Sequence, residues 1–152
     1  MAKKYAVRKK YDNYEEMVVE KTINKIMWDG KKSLARRIFN QAVDYIKENT
    51  GEDGVATFKK AVDNLKPDVE VKSKRIGGAN YQVPVTVTSK RQTSLAIRWL
   101  VEYSRKRSDE HDMYKKFAKE ILDATKKQGG AYRRKEEIHR MAEANKAFAY
   151  FG

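Results

Sequence analysis

From position 14 onward the apolar residues recur at helical spacing. Val19, Ile23, Ile26 and Met27 fall on one face. The pattern stops at Asp29-Gly30, where glycine suits a left-handed stop. Ser33 is placed to cap a second helix, in which Leu34, Ile38, Phe39, Ala42, Val43 and Ile46 repeat until about position 49. A third helix covers about 55–65, with Val55, Phe58, Val62 and Leu65 inward, and Pro67 ends it. The period then changes to two. Val69 and Val71 alternate with charged residues; after Gly77-Gly78, Tyr81, Val83, Val85 and Val87 alternate with polar residues or Pro84. This predicts a hairpin over about 69–88 whose second strand lies at an edge, because Pro84 cannot donate to a ladder.

Helical spacing returns near position 92. Leu95, Ala96, Trp99, Leu100 and Tyr103 mark a fourth helix ending near 107, and Phe117, Ala118, Ile121 and Leu122 a fifth over about 113–127. Gly129-Gly130 is expected to break the chain before a last helix, about 132–149, with Ile138, Met141, Ala142, Asn145 and Phe148 on one side. Trp28 and Trp99 both fall on core-like faces. The expected fold class is mainly α: a six-helix single domain over 13–152 with a protruding two-stranded β-hairpin, preceded by a basic N-terminal arm over 1–12.

Charge changes what this fold is for. The 152 residues carry 34 Lys+Arg against 21 Asp+Glu, a formal net charge of +13. Such self-repulsion disfavours a compact chain and points to a polyanionic partner, nucleic acid first and a membrane surface second. The absence of cysteine excludes disulfides and thiolate metal sites. No apolar run approaches the roughly 18 residues of a spanning helix, and no apolar signal core follows the basic N-terminus. A soluble, cytoplasmic protein is expected.

The cations fall in five clusters. The arm holds Lys3, Lys4, Arg8, Lys9 and Lys10 and no acid before Asp12. Lys31-Lys32 sit in the first loop, and Lys72, Lys74 and Arg75 load one arm of the hairpin. Lys126-Lys127 and Arg133-Arg134-Lys135 flank the last break. Residues 90–107 hold Lys90, Arg91, Arg98, Arg105, Lys106 and Arg107 against one acid, Glu102. Arg91, Arg98 and Arg105 are seven apart, and each such step drifts only about 20° around a helix, so they form a stripe. A solvated face normally mixes signs in four-residue pairs; here only Glu102 is positioned to serve Arg98 or Arg105. Acids gather instead around the third helix, at Glu52, Asp53, Asp63 and Asp68.

A lone hairpin is marginally stable and needs cover from the helices or from a partner at its tip. Its cations suit phosphates, and Gly77-Gly78 allows close approach of a ligand. Tyr81 is either a stacking surface for an unpaired base or a core residue at the hairpin base.

Three segments now carry a resemblance: VEVKSKRIGGANYQVPV (69–85), LAIRWLV (95–101) and GGAYRRKEEIHRMAEANKAFAYF (129–151). With DGKKS at 29–33, in the same order and spacing, the chain resembles the bacterial type of the small-subunit ribosomal protein 7 family over essentially its whole length. The resemblance implies a primary rRNA-binding protein of the 3′ major domain that nucleates assembly of the subunit head. It implies a place at the subunit interface near the decoding centre, with E-site tRNA and the ninth and eleventh small-subunit proteins as neighbours. Carried over residue by residue, it implies rRNA contacts at Lys3, Lys4, Arg8, Lys9, Lys10, Lys31, Lys32, Lys72, Lys74, Arg75, Arg91, Arg98, Arg105, Lys106 and Arg107. The tRNA-proximal positions would be Gly78, Ala79, Asn80, Tyr81 and Gln82, with Arg140 and Lys146 of the last helix. No cofactor and no small-molecule substrate are expected. Two features depart from the family pattern: the sequence ends almost directly after KAFAYF, where many relatives run on, and 108–113 (SDEHDM) is more acidic.

Rival readings are weaker. His139 and Glu143, four apart, could share a metal, but a third ligand is missing. Gly77-Gly78 lacks the lysine and helix of a phosphate-binding loop. A helix-turn-helix from the first two helices would concentrate its cations on one recognition helix, whereas these are spread over several elements, as suits folded RNA. A membrane-surface protein would need a separate exposed apolar stripe.

Overall fold

A computed structural model describes residues 13–151, so the expected N-terminal arm lies outside the described residues. Among those residues the chain forms six α-helices and one antiparallel hairpin: α1 (Tyr14–Ile26), α2 (Lys32–Thr50), α3 (Gly54–Leu65), β1 (Val69–Ile76), β2 (Ala79–Thr86), α4 (Ser89–Arg105), α5 (Met113–Thr125) and α6 (Gly129–Ala144). A short 3-10 turn follows at Lys146–Phe151.

Local chemistry sets most of these limits. The Asn13 side chain accepts from the Glu16 N–H at 2.7 Å and caps α1, with Glu15 and Glu16 in the first turn and Lys25 in the last, as the helix dipole favours. Gly51, in the left-handed region, closes α2, and Asp53 caps α3 through the Ala56 N–H at 3.0 Å.

The core is centred on α5, which packs against α2, α3, α4 and α6. Phe39 of α2, Phe58 of α3 and Phe117 of α5 meet there, with ring centroids 5.2 to 6.3 Å apart. Leu95, Ala96, Trp99 and Leu100 close it from α4.

Gly77 and Gly78 both have positive φ (57° and 84°), the two-residue turn whose twist matches a hairpin. The register pairs Glu70 with Val85, Lys72 with Val83 and Lys74 with Tyr81, while Val71 lies opposite Pro84. Directly opposed residues share a face. The valines of β1 are therefore on the other side of the ribbon from Tyr81, Val83 and Val85, and no single Val/Tyr face exists. Near the base the ribbon is covered by the chain itself, since α6 packs on β1 and the 3-10 turn packs on β2.

Several boundaries differ from the sequence reading. A tight turn, with the Lys31 N–H donating to the Trp28 carbonyl at 3.1 Å, lets α2 begin at Lys32. Lys31 is the cap position and makes no side-chain cap bond, so Ser33 caps nothing. Trp28 follows the point where the backbone leaves the helix at Met27 and is exposed; Leu34 and Met141, expected inward, are also exposed. The break before α6 is at 126–128, and the two glycines are the first residues of that helix. A Cβ on Gly130 would lie 2.6 Å from Tyr103 Cδ1, so glycine there permits α6 to approach α4. The last helix ends at Ala144, and Phe148 sits in the 3-10 turn.

Candidate nucleic-acid interface

The helices sort the predicted cations into two kinds: those already engaged inside the fold, and those presented to solvent. Arg107 is the clearest of the first kind. Its Nη1 donates to Glu120 Oε2 and Asp123 Oδ2, both at 2.7 Å, while Nη2 and Nε reach Asp109 at 2.8 and 3.0 Å. The bonds to Asp109, then to Asp123 and Glu120, raise its pKa well above the ordinary guanidinium value.

Arg91 is also held, forked onto Glu70 of β1 at 2.7 and 3.0 Å. Arg105 donates to the carbonyls of Lys25 and Ile26 at 3.2 and 3.1 Å, capping the end of α1. Lys135 donates to the Asn64 carbonyl at 2.8 Å and ties α6 to α3. The expectation that the α4 cations find no internal partner but Glu102 is thus corrected. Glu102 pairs with Lys106 at 3.3 Å, and Arg91, Arg105 and Arg107 find partners on other elements.

The second kind lies on two surfaces. On the first, Arg98 of α4 shares a shallow depression with Lys21, Lys25 and Ser94. An adjoining depression brings Lys21 together with Lys90 and with Lys66, the last already held by Asp63 at 3.0 Å and donating to the Tyr14 hydroxyl at 2.8 Å. Lys21, Lys25, Lys90 and Arg98 form one basic strip across α1 and α4. Lys21 and Lys25 were not singled out in the sequence, although their four-residue spacing on the outer side of α1 was a readable signal. Lys31 in the turn and Lys32 and Arg37 in the first turns of α2 add to this surface, all exposed, although Lys32 lies 3.5 Å from Glu20, which Arg36 also holds at 2.8 Å.

The second surface is the hairpin with the chain end. Lys72 and Arg75 are exposed and Lys74 is half-buried; Gly78, Ala79, Asn80 and Gln82 are exposed at the tip, where Gln82 donates to Ser73 at 3.0 Å. Tyr81 is not a core residue at the hairpin base. It is half-buried with its ring 5.0 Å from that of Phe148, so it joins the hairpin to the 3-10 turn. Arg140 is exposed on α6, and Lys146 lies 3.7 Å from Glu143 beside Asp68, Val69 and Pro84. The chain end therefore meets the hairpin at two places, Lys146 near its base and Phe148 at Tyr81, while Gly78, Ala79 and Asn80 lie beyond them at the tip.

His139 and Glu143 are engaged separately. His139 Nε2 accepts from the Asp68 N–H at 3.3 Å, whereas Glu143 pairs with Lys146. Among the described residues no three His, Asp or Glu side chains converge as a metal site, and no helix is long and apolar enough to cross a membrane. In the acidic loop after α4, Asp109 serves Arg107 and Glu110 pairs with Lys119 at 2.6 Å. The extra acids thus answer internal cations.

Known proteins give this geometry its context. The small ribosomal subunit protein uS7 of Fervidobacterium nodosum is 50% identical over 138 residues, 91% of this chain and 88% of that protein. Its namesakes from Caldicellulosiruptor bescii and Acetivibrio thermocellus are 51% and 54% identical over the same length and shares. Residues 1–146 match the profile of the family Ribosomal protein S7p/S5e. The chain belongs to that family, and so to the structural, noncatalytic proteins of the small ribosomal subunit.

Proposed function

We propose that this protein is the primary rRNA-binding protein of the 3′ major domain of small-subunit rRNA and nucleates assembly of the subunit head. Its site is the subunit interface near the decoding centre. There the hairpin tip and the chain end, at Gly78–Gln82, Arg140 and Lys146, approach E-site tRNA, and the ninth and eleventh small-subunit proteins are its neighbours. The rRNA contacts are carried by the arm cations, Lys31, Lys32, Lys72, Lys74, Arg75 and the solvent-facing part of α4.

One observation carries this reading. After the internal pairs are removed, Lys21, Lys25, Lys90 and Arg98 still form a basic strip from two helices. Charge presented from several elements at once fits the bends of a folded polyphosphate better than one groove of a duplex. Among the described residues the exposed cations concentrate on no single recognition helix, which favours folded RNA over a DNA-binding regulator's duplex.

Affinity in this reading comes mainly from counterion release. Neutralising about six to ten phosphates predicts a fall in affinity on the order of 10³–10⁵ between roughly 50 and 200 mM salt. The test is binding to a head-domain rRNA fragment and to duplex DNA of equal charge as salt is raised. The rRNA complex is expected to outlast the DNA complex, with protections in a chemical footprint confined to the 3′ major domain. Equal loss of both complexes, or a flat salt response, would overturn the proposal.

A further inference from the structure

Trp28 is 68% exposed, whereas Trp99, the other tryptophan, is 5% exposed in the core. A lone exposed apolar side chain is ordinary; what distinguishes Trp28 is how it is held and what surrounds it. Its carbonyl accepts from the Lys31 N–H at 3.1 Å, closing a turn in which Asp29 and Gly30 both have positive φ (53° and 73°). The Arg105 guanidinium lies 5.6 Å from the ring centroid, over the indole, and is itself fixed by the Lys25 and Ile26 carbonyls. The ring is thus supported by a cation that the fold anchors, while most of its surface faces solvent.

The same turn leads into a shallow depression of about 450 Å³ lined by Lys31, Lys32, Arg37 and the exposed Leu34. Against these cations the turn sets one acid, Asp29. Glu20 is also nearby but is already bridged by Lys32 and Arg36. A large aromatic surface bordered by positive charge matches a nucleotide, whose base stacks while its phosphates pair with lysine and arginine. A base inside a duplex has both faces stacked already, so the occupant is an unpaired one.

We propose that Trp28 is a stacking platform for a single unpaired RNA base, with Lys31, Lys32 and Arg37 taking the flanking phosphates. The inference rests on the rRNA-binding reading above and adds to it a specific contact that charge alone does not supply. Arg105 takes part indirectly, as a positioning residue under the ring.

The test uses the full chain and the head-domain rRNA fragment. Wild type, Trp28→Ala and Trp28→Phe are compared for affinity at one salt concentration, and the Trp28 emission is isolated by subtracting the Trp28→Phe spectrum. RNA is expected to quench that emission and shield it from acrylamide. Trp28→Ala is expected to bind roughly 5- to 150-fold more weakly with an unchanged salt slope, and Trp28→Phe to recover part of the loss. Both variants should keep the melting temperature of the wild type, since the ring is outside the core. If the wild type binds the fragment but Trp28→Ala binds equally well and acrylamide still reaches the ring, this proposal is overturned and the rRNA reading stands. If the wild type shows no preference for the fragment, both fall. Shielding that appears only when neighbouring subunit proteins are added would assign the ring to a protein contact and overturn the RNA proposal.

Discussion

Arg107 and Glu120 hold each other at 2.7 Å in a place where Glu120 is only 1% exposed. The other Glu120 oxygen accepts from the buried Ala131 N–H at 3.0 Å, so this carboxylate joins the end of α4, the middle of α5 and the first turn of α6. The α6 helix in turn packs on the hairpin. Removing one partner of a buried pair leaves the other charge uncompensated, which destabilises by roughly 3–5 kcal/mol. Arg107→Ala should lower the unfolding free energy in urea by such an amount, and Glu120→Ala by less, because Arg107 keeps Asp109 and Asp123. Arg107→Lys should fall between wild type and Arg107→Ala, because an ammonium lacks the fork that reaches several carboxylates. An Arg107→Ala variant of wild-type stability that bound rRNA weakly would show instead that Arg107 is a direct RNA contact.

Acid should weaken this same corner. The hydrogen bond from Arg107 holds the Asp109 carboxyl below its usual range, and Lys119 does the same for Glu110. A carboxyl lowered in the folded state contributes stability that is present above its unfolded value, about 3.9 for Asp. That contribution is lost as pH falls through the folded value. Asp109 is well exposed, so its share should be small, at most ~1 kcal/mol. Melting curves from pH 7 to 2.5 should show wild type more stable than Asp109→Asn at neutral pH, with the gap closing below about pH 4. A gap that instead widened in acid would contradict the assignment.

What was legible in the sequence, and what was not, divides along a physical line. The spacing of Phe39, Ala42 and Ile46, or of Phe117 and Ile121, located helices and their buried faces, since burial repeats with the helical period. Gly77-Gly78 located the hairpin turn because both positions need positive φ. Periodicity also put Arg91, Arg98 and Arg105 on one line, but it could not say what packs along that line. The hairpin brings Glu70 to Arg91, the end of α1 meets Arg105, and only Arg98 keeps an open surface. These partners are separated by 21 and 79 residues in the chain, beyond any local pattern. Trp28 was misplaced for a related reason: the backbone leaves the helix at Met27, so the helical period no longer applies one residue later.

The stripe therefore predicts a separation of effects. Arg98→Ala should change stability by no more than ~0.5 kcal/mol, as is usual for a surface substitution. It should weaken rRNA binding and reduce the salt slope by about one. Arg91→Ala should cost about 1 kcal/mol, because Glu70, 9% exposed, loses a forked partner. Thermal melts and rRNA titrations of the two variants side by side provide the check. A large drop in melting temperature for Arg98→Ala would show that this arginine, too, is structural.

The hairpin tip should be separable from the core. Replacing residues 74–81 with Asn-Gly keeps the Ser73–Gln82 pairing as the new end of the ribbon, with a two-residue turn of suitable twist. Val83 and Glu70, the buried residues of the ribbon, are retained. The main loss is the contact of Tyr81 with Phe148, worth roughly 0.5–1.5 kcal/mol beyond its buried area. The helices should melt within a few degrees of wild type, while hydrogen exchange should quicken across 146–151. Without Lys74 and Arg75 the salt slope for rRNA binding should fall by up to ~2, and E-site tRNA occupancy in reconstituted subunits should change. Unfolded helices would mean that the ribbon is part of the core. Unchanged exchange at the chain end would mean that Tyr81 does not anchor it.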